Sequence, residues 1–217
     1  LLIGLKLIGK DSISSIGIYD RSIDKIKRWE YEMNQTSFPF EDLLPEIHGI
    51  ERKELFDCDM FVFCASRGVP PVGSEAVDVR MVQFIGNAEL IKEYASMAAD
   101  YGFKGIFAVV SDPVDQLCAT VLNESRGVLA PEQIKGYGLG VMNARAIYYS
   151  KIFNKFSMYL QEGRAFGPHG KDLIIANSIR DYDDELSREL TKYAVEANLE
   201  VRKTGFKPYI APALSSG

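Results

Sequence analysis

The order of apolar and amphipathic segments is the feature that most limits how this chain can fold. Two short runs, DMFVFCAS (59–66) and GIFAVVS (105–111), are apolar almost throughout, which is typical of strands covered on both faces. A third run, SISSIGIYD (12–20), is rich in β-branched residues and ends in aspartate, so it also predicts a strand. Because strands that alternate with helices form parallel βαβ units, the pattern predicts an α/β fold with a doubly wound parallel sheet.

The helical segments are marked by apolar residues at three- and four-residue spacing. In residues 183–203, acidic side chains open the segment and basic ones close it, as the helix dipole favours, and Gly205 follows as a stop. Pro113 is predicted to open another helix in its first turn, where its missing N–H costs little. The remaining predictions are helices at 1–10, 21–35, 75–101 and 142–153, loops at 36–47 and 126–131, a glycine-rich turn at 134–140, and short strands flanking GRAFGPHGKD (163–172).

The composition argues against several classes of function. The 217 residues carry 25 basic and 30 acidic side chains, and this net charge of −5, without a basic block, disfavours binding to nucleic acid. No apolar run approaches the roughly 18–20 residues that span a membrane. Three cysteines cannot all pair with one another, which favours a reducing compartment, and we expect the cytoplasm. Two histidines without clustered cysteines predict no metal site.

Residues that follow strands are candidate ligand contacts, because α/β sheets bind ligands at the carboxyl ends of their strands. Asp20 stands at such a position and could accept hydrogen bonds from the ribose hydroxyls of a dinucleotide, or it could only cap the next helix. Asp112, in VSDPVD (110–115), offers the same choice between a ligand contact and a helix cap.

Three further side chains have the chemistry of a carboxylate-binding site. His169 lies in the glycine-rich turn FGPHGKD, where it could act as general acid and base near neutral pH or simply remain in water. Arg80 and Arg145 lie in helical segments, and a guanidinium can bind a carboxylate through two parallel hydrogen bonds. Either arginine could equally belong to a solvated helix face, and spacing alone does not bring the three side chains together.

These segments, in this order, resemble the NAD-dependent lactate/malate dehydrogenase family over nearly the whole chain. SSIGIYD resembles the family's second strand with its ribose-binding acid, and LFDCDMFVFCASRGVPPVGS resembles the strand and mobile loop that follow. VVSDPVD is similar to the family's Val-Thr-Asn-Pro-Val-Asp, IKGYGLGVMNAR to its Val-Ile-Gly-Met-Gly-Gly-Val-Leu-Asp-Ser-Ala-Arg, and FGPHGKD to its Leu-Gly-Glu-His-Gly-Asp-Ser. The resemblance predicts a Rossmann-type domain at 1–140 and part of an α+β catalytic domain at 141–217. It also predicts that a first strand with GxGxxG precedes Leu1 and that further elements follow Gly217.

The resemblance implies an NAD-dependent dehydrogenase that acts on 2-hydroxy and 2-oxo carboxylic acids and assembles as a dimer or tetramer. Arg145 would clamp the substrate carboxylate, Arg80 would polarise the carbonyl as its loop closes, and His169 would exchange the proton. Arg80 stands seven residues before Asn87, as in the family, which makes Asn87 a further substrate-binding candidate. The cofactor-binding candidates are Asp20, Ala65, Ser66, Ser111 and Asp112.

Three departures from the family pattern affect the predicted site. Met142 stands where the family has the aspartate that orients the catalytic histidine, and a thioether cannot orient an imidazole. Asp112 replaces an asparagine, and its negative charge would repel an anionic substrate, support a protonated His169, or select a cationic group. No basic residue stands between Gly68 and Val79, so the loop arginine that selects dicarboxylates is missing.

These departures keep alternatives open. A catalytically impaired NAD-binding homologue with a regulatory or structural role is favoured by Met142 and Asp112, whereas retention of Arg80, Arg145 and His169 argues against it. A related NAD-using glycosidase is a weaker alternative, because such an enzyme needs a metal and the sequence offers no paired-histidine ligand set.

Overall fold

A computed structural model describes residues 1–39, 44–67, 79–168, 172–206 and 210–215, except for the side chains of 79–82 and 212–213. The chain packs as two compact units, Leu1–Phe61 and Val62–Gly217. In the first unit, helix α1 (Leu2–Ile8) precedes strand β1 (Ser15–Ile18), helix α2 (Ile23–Asn34) follows it, and strand β2 (Glu46–Gly49) pairs in parallel with β1.

Strand β2 corrects the end of the loop predicted over 36–47, because Glu46 and Ile47 belong to the strand. The loop prediction rested on Pro39 and Pro45. The amide of Ile47 donates to Asn34 Oδ1 at 2.9 Å, and its carbonyl accepts from Asn34 Nδ2 at 2.6 Å. Ile47 itself is fully buried. This short strand therefore depends on β1 and on the end of α2, and partners so distant in sequence leave little local pattern to predict it.

Strand β3 (Met60–Phe63) passes into the second unit, where helix α3 (Val79–Asp100), strand β4 (Ile106–Val109), helix α4 (Val114–Glu124) and strand β5 (Ile134–Gly136) follow. The sheet has the order β3–β4–β5, with β4 parallel to β5. The core beside it includes the fully buried side chains of Ile91, Phe107, Val109, Leu117 and Val121.

Strand β5 lies within 134–140, which the sequence predicted as a glycine-rich turn. A Cβ added to Gly136 would lie 2.5 Å from Val114 Cγ1 and 2.9 Å from Cys118 Sγ. Glycine at this position therefore allows α4 to pack directly against the strand. The reason for the glycine is this close packing, and not the turn that the sequence predicted.

The rest of the second unit is built around an antiparallel pair of strands. Its elements are helices α5 (Gly140–Ile152) and α6 (Tyr159–Glu162), the paired strands β6 (Arg164–Phe166) and β7 (Ile174–Ala176), and helices α7 (Asp184–Lys203) and α8 (Ile210–Leu214). Met142, Phe156 and Leu190 are buried in its core. Asp183 caps α7 by accepting a hydrogen bond from the Leu186 amide at 2.8 Å.

Helix α7 also covers one edge of β7. The backbone amides of Ile175 and Asn177 donate to Thr191 Oγ1 and Ser187 Oγ at 2.8 and 2.9 Å. Because the two hydroxyls stand one turn apart on α7, they satisfy alternate strand amides and fix the helix along the strand.

The predicted α/β fold class is confirmed, and the bounds of α2, α5 and α7 agree with the predicted helices to within two residues. The compact units divide after Phe61, within β3. In the described residues, β1–β2 and β3–β4–β5 are hydrogen-bonded as separate sheets. The boundary near residue 140 stays a prediction about functional domains. A helix with the length and apolar character to cross a bilayer is not found in the part of the chain that the structure describes.

Candidate functional site

The ends of strands β3 and β4 are joined by a group of hydrogen bonds in the second unit. Ser111 Oγ donates to the Ala65 carbonyl at 2.8 Å, which connects the segment after β4 to the segment after β3. Asn87, on α3, accepts a hydrogen bond from the Arg67 amide at 2.9 Å. Its Nδ2 donates to the Asp112 carbonyl at 2.8 Å and to Ser111 Oγ at 3.5 Å. We call Ala65, Arg67, Asn87, Ser111 and Asp112 the strand-end group.

The strand-end group combines a buried interior with an exposed rim. Asn87 and Ser111 are buried, whereas Ala65, Ser66 and Asp112 are exposed. This is the edge at which α/β sheets bind ligands, and four predicted cofactor-binding positions and the predicted substrate contact Asn87 lie there. Contact of these residues with a ligand stays a prediction.

The position of Pro113 differs from the prediction that it lies in the first turn of a helix. The Asp112–Pro113 peptide bond is cis, and Pro113 is the N-cap residue of α4, not a residue of its first turn. No side-chain capping hydrogen bond is made at this N-cap.

The guanidinium of Arg67 is directed along α3. Its Nη1 lies 2.9 Å from Glu89 Oε2, and both side chains are more than half exposed. Arg67 directly precedes the loop that lacks the family's arginine, and its charge is partnered by this carboxylate.

Arg145, the predicted carboxylate clamp, is half-buried between α5 and α7. Its Nη1 donates to Met142 Sδ at 3.4 Å and to the Ala194 carbonyl at 3.3 Å. Burial lowers the pKa of the guanidinium, and the nearby Tyr149 shifts it in the opposite direction. A guanidinium nevertheless stays charged at neutral pH. Met142 is 1% exposed, which confirms that it belongs to the core.

Asn143, the polar neighbour of Met142, has a partner elsewhere on the same unit. Its Oδ1 accepts a hydrogen bond from the Tyr159 hydroxyl at 2.6 Å. Burial of Tyr159 raises the pKa of its hydroxyl to about 12, so this proton remains in place at neutral pH.

Asp20 follows β1 in the first unit and is exposed. Its Oδ1 accepts a hydrogen bond from the Ser22 amide at 2.8 Å, and its Oδ2 lies 3.6 Å from Lys25 Nζ. Ser22 is the N-cap residue of α2. Asp20 thus supports the turn before the helix and still has exposed acceptor capacity, since a carboxylate can accept about four hydrogen bonds. The Lys25 pairing was missed by sequence reasoning, although its position one turn into the predicted helix was a usable signal.

Two of the predicted catalytic side chains lie outside the described residues. His169 is one, and the other is the side chain of Arg80, whose backbone lies in the first turn of α3. Their convergence with Arg145 and Asp112 stays a prediction.

The three cysteines are poor nucleophiles. Burial raises the pKa of the Cys58 and Cys64 thiols, and it raises that of Cys118 to about 11. Thiols with raised pKa values are protonated at neutral pH, so covalent catalysis by cysteine is disfavoured.

Two cavities of the described surface lie away from the strand-end group. A shallow apolar cavity of about 310 Å³ is lined by Phe166, Ile174 and Tyr182 among others, and one of about 410 Å³ lies along α2 beside Glu30 and Tyr31. Neither is lined by the strand-end group. In the described residues, no three His, Cys, Asp or Glu side chains converge as a metal site.

Comparison with known proteins shows which sequences this chain is similar to. The L-lactate dehydrogenase of Mycoplasma pneumoniae is 28% identical over 142 residues, which are 64% of this chain and 43% of that protein. The L-lactate dehydrogenase of Staphylococcus haemolyticus is 24% identical over 143 residues, or 66% of this chain and 42% of that protein. The chain thus spans less than half the length of these two curated relatives. No protein-family model matches it.

Solved structures show what fold the chain has. The malate dehydrogenase of Aeropyrum pernix superposes with a TM-score of 0.76 at 17% identity, covering 99% of this chain and 70% of that chain. A lactate dehydrogenase from a Medee basin deep-sea metagenome library gives 0.74 at 19% identity, covering 97% and 68%. This chain therefore has the Rossmann-type fold of those two enzymes. The sequence relatives and the solved structures thus agree that this chain is similar to lactate and malate dehydrogenases.

Proposed function

We propose that this protein transfers a hydride between NAD and a 2-hydroxy or 2-oxo carboxylic acid. The observation that carries the proposal is the strand-end group, in which Ala65, Ser111 and Asp112 are held at the carboxyl ends of two adjacent strands. The similarity to lactate and malate dehydrogenases supports the same activity. The proposal includes a cytoplasmic location and a homodimer or homotetramer.

The residues present fit the adenosine part of NAD. Asp20 is an exposed carboxylate directly after β1, and only one of its oxygens accepts a backbone hydrogen bond. Ribose hydroxyls are donors that such a carboxylate can bind, whereas a 2′-phosphate would be repelled. We therefore propose NAD in preference to NADP.

The chain's own residues have distinct roles in this proposal. NAD, when bound, supplies or accepts the hydride. Arg145 binds the substrate carboxylate, and Arg80 donates to the substrate carbonyl oxygen as charge develops there. His169 donates a proton to that oxygen in reduction and removes it in oxidation.

The test is an assay of NADH oxidation by the purified full chain with a panel of 2-oxo acids. A His169→Asn variant serves as the catalytic control, because it can hydrogen-bond but cannot exchange the proton. We expect turnover with at least one acid and its loss in the variant. NADH binding without turnover on any acid would contradict the proposed activity.

The buried position of Met142 favours a second candidate, a catalytically impaired NAD-binding homologue. Met142 stands where the family has the histidine-orienting aspartate, and Arg145 donates toward its sulfur. The same assay separates the two candidates, since the impaired homologue binds NADH in a titration but leaves it unoxidised.

A further inference from the structure

A single buried side chain connects the two segments that carry most of the predicted cofactor contacts. Asn87 is 1% exposed and projects from α3. Its Oδ1 accepts from the Arg67 amide at 2.9 Å, after β3, and its Nδ2 donates to the Asp112 carbonyl at 2.8 Å, after β4. One amide group thus holds both segments by their backbones.

The bond between Ser111 and Ala65 makes this connection a closed ring. Ser111 Oγ accepts from Asn87 at 3.5 Å and donates to the Ala65 carbonyl at 2.8 Å. These hydrogen bonds therefore fix the relative positions of Asn87, Ser111 and the backbone from Ala65 to Arg67. Because the amide nitrogen of Asn87 already donates to protein acceptors and is buried, this side chain is poorly placed to bind substrate, the role expected from its spacing to Arg80.

We infer that Asn87 is a positioning residue, which sets the spacing between the segment Ala65–Arg67 and the segment Ser111–Asp112. The inference rests on the proposed function, since these segments carry the predicted contacts to cofactor and substrate. Backbone groups are held more firmly by a buried amide than by a surface side chain, because an unpaired buried partner is costly. Asn87 thereby acts on the reaction through the segments that it holds.

The chain offers a matched control for a purely structural role. Asn177 is 4% exposed, and its Oδ1 accepts from the Asp183 amide and from Ser187 Oγ, both at 2.9 Å. It holds the start of α7 as Asn87 holds the strand ends, and its hydrogen bonds run to Asp183 and Ser187 instead of the strand-end group. Loss of either side chain should destabilise the fold to a similar degree.

Hydrogen exchange tests the positioning without any assay of activity. In the full chain, Asn87→Ala should speed amide exchange both at 65–67 and at 111–112, whereas Asn177→Ala should do so only near α7. Asn87→Asp has the same shape and keeps an acceptor for the Arg67 amide, so it should affect 111–112 alone. Faster exchange at only one segment in Asn87→Ala would overturn the inference.

Kinetics with NADH and the best 2-oxo acid test the consequence for the site. We expect both Asn87 variants to raise the KM for the 2-oxo acid about tenfold or more, since a displacement near 1 Å can cost about a hundredfold in rate. Asn177→Ala should leave that KM within about threefold, because a smaller folded fraction lowers the apparent kcat and not the KM. Equal KM values in the Asn87 and Asn177 variants would refute the positioning role. A wild-type chain without turnover would instead refute the proposed function, and the exchange pattern would still decide the role of Asn87.

Discussion

The proposed role of Arg145 can be separated from its structural role by replacing it with lysine. Lysine keeps the charge but cannot make the two-pronged bond to a carboxylate. The intramolecular contacts of Arg145 are weak, since Nη1 lies 3.3 Å from the Ala194 carbonyl and 3.4 Å from Met142 Sδ. Their loss should cost about 1 kcal/mol of stability, which lowers the Tm by about 2–4 °C in a chain of this size.

The loss in substrate binding should be much larger. A bidentate pair between charged groups contributes about 1.5–3 kcal/mol, so Arg145→Lys should raise the KM for a 2-oxo acid by about 10- to 100-fold. The assay is steady-state oxidation of NADH at varied 2-oxo acid, with Tm measured on the same samples. Arg126→Lys is the matched control, because Arg126 also donates to a helix carbonyl, that of Ser96 at 3.4 Å, away from the strand-end group.

A small change in the KM of Arg145→Lys would refute the carboxylate clamp. If Arg145→Lys changes the KM by less than about threefold while the Tm falls as in the Arg126 control, Arg145 only ties α5 to α7. The carboxylate clamp would then be wrong, and the impaired homologue would be the better account.

Three further predictions concern Lys25, Asp112 and Tyr159. Lys25 forms an exposed ion pair with Asp20 and partly offsets its negative charge. Lys25→Gln should therefore raise the preference for NAD over NADP by about 1.4- to 5-fold in cofactor titrations. Lys27→Gln is the control, and an unchanged preference in Lys25→Gln would contradict the prediction. Asp112→Asn keeps the backbone carbonyl that binds Asn87 but removes a negative charge, so kcat/KM for anionic 2-oxo acids should rise. A fall in kcat/KM, together with a shift in its pH profile, would instead show that Asp112 supports His169. The buried hydroxyl of Tyr159 has its pKa raised from 10.0 to about 12, so the native state holds that proton longer than the unfolded state and stability falls as pH rises from 10 toward 12. Tyr159→Phe should remove about 2–3 kcal/mol of this alkaline loss in unfolding curves, and parallel curves for both proteins would contradict the assignment.

The fold class and the positions of the long elements follow from local patterns in the sequence. The apolar runs at 59–66 and 105–111 predict buried strands because burial on both faces leaves no polar alternation. The periodicity and charge asymmetry of 183–203 predict α7 for equally local reasons, namely its apolar face and its dipole. The order of the motifs also predicts Ser111 and Asp112 as cofactor-binding candidates.

The contacts that those residues make depend on how the elements pack in three dimensions. Strands β2 and β5 form because they pair with β1 and β4, which lie far from them along the chain. Asn34 and α4 add further contacts, and neither strand has a clear local signal. The same holds for Asn87, whose spacing to Arg80 predicts a substrate contact but whose buried amide group bonds to the backbone of two segments, at Arg67 and Asp112. Local periodicity encodes which face of an element is apolar; hydrogen bonds between residues 20 to 25 positions apart depend on how the elements pack, and no stretch of sequence contains that information.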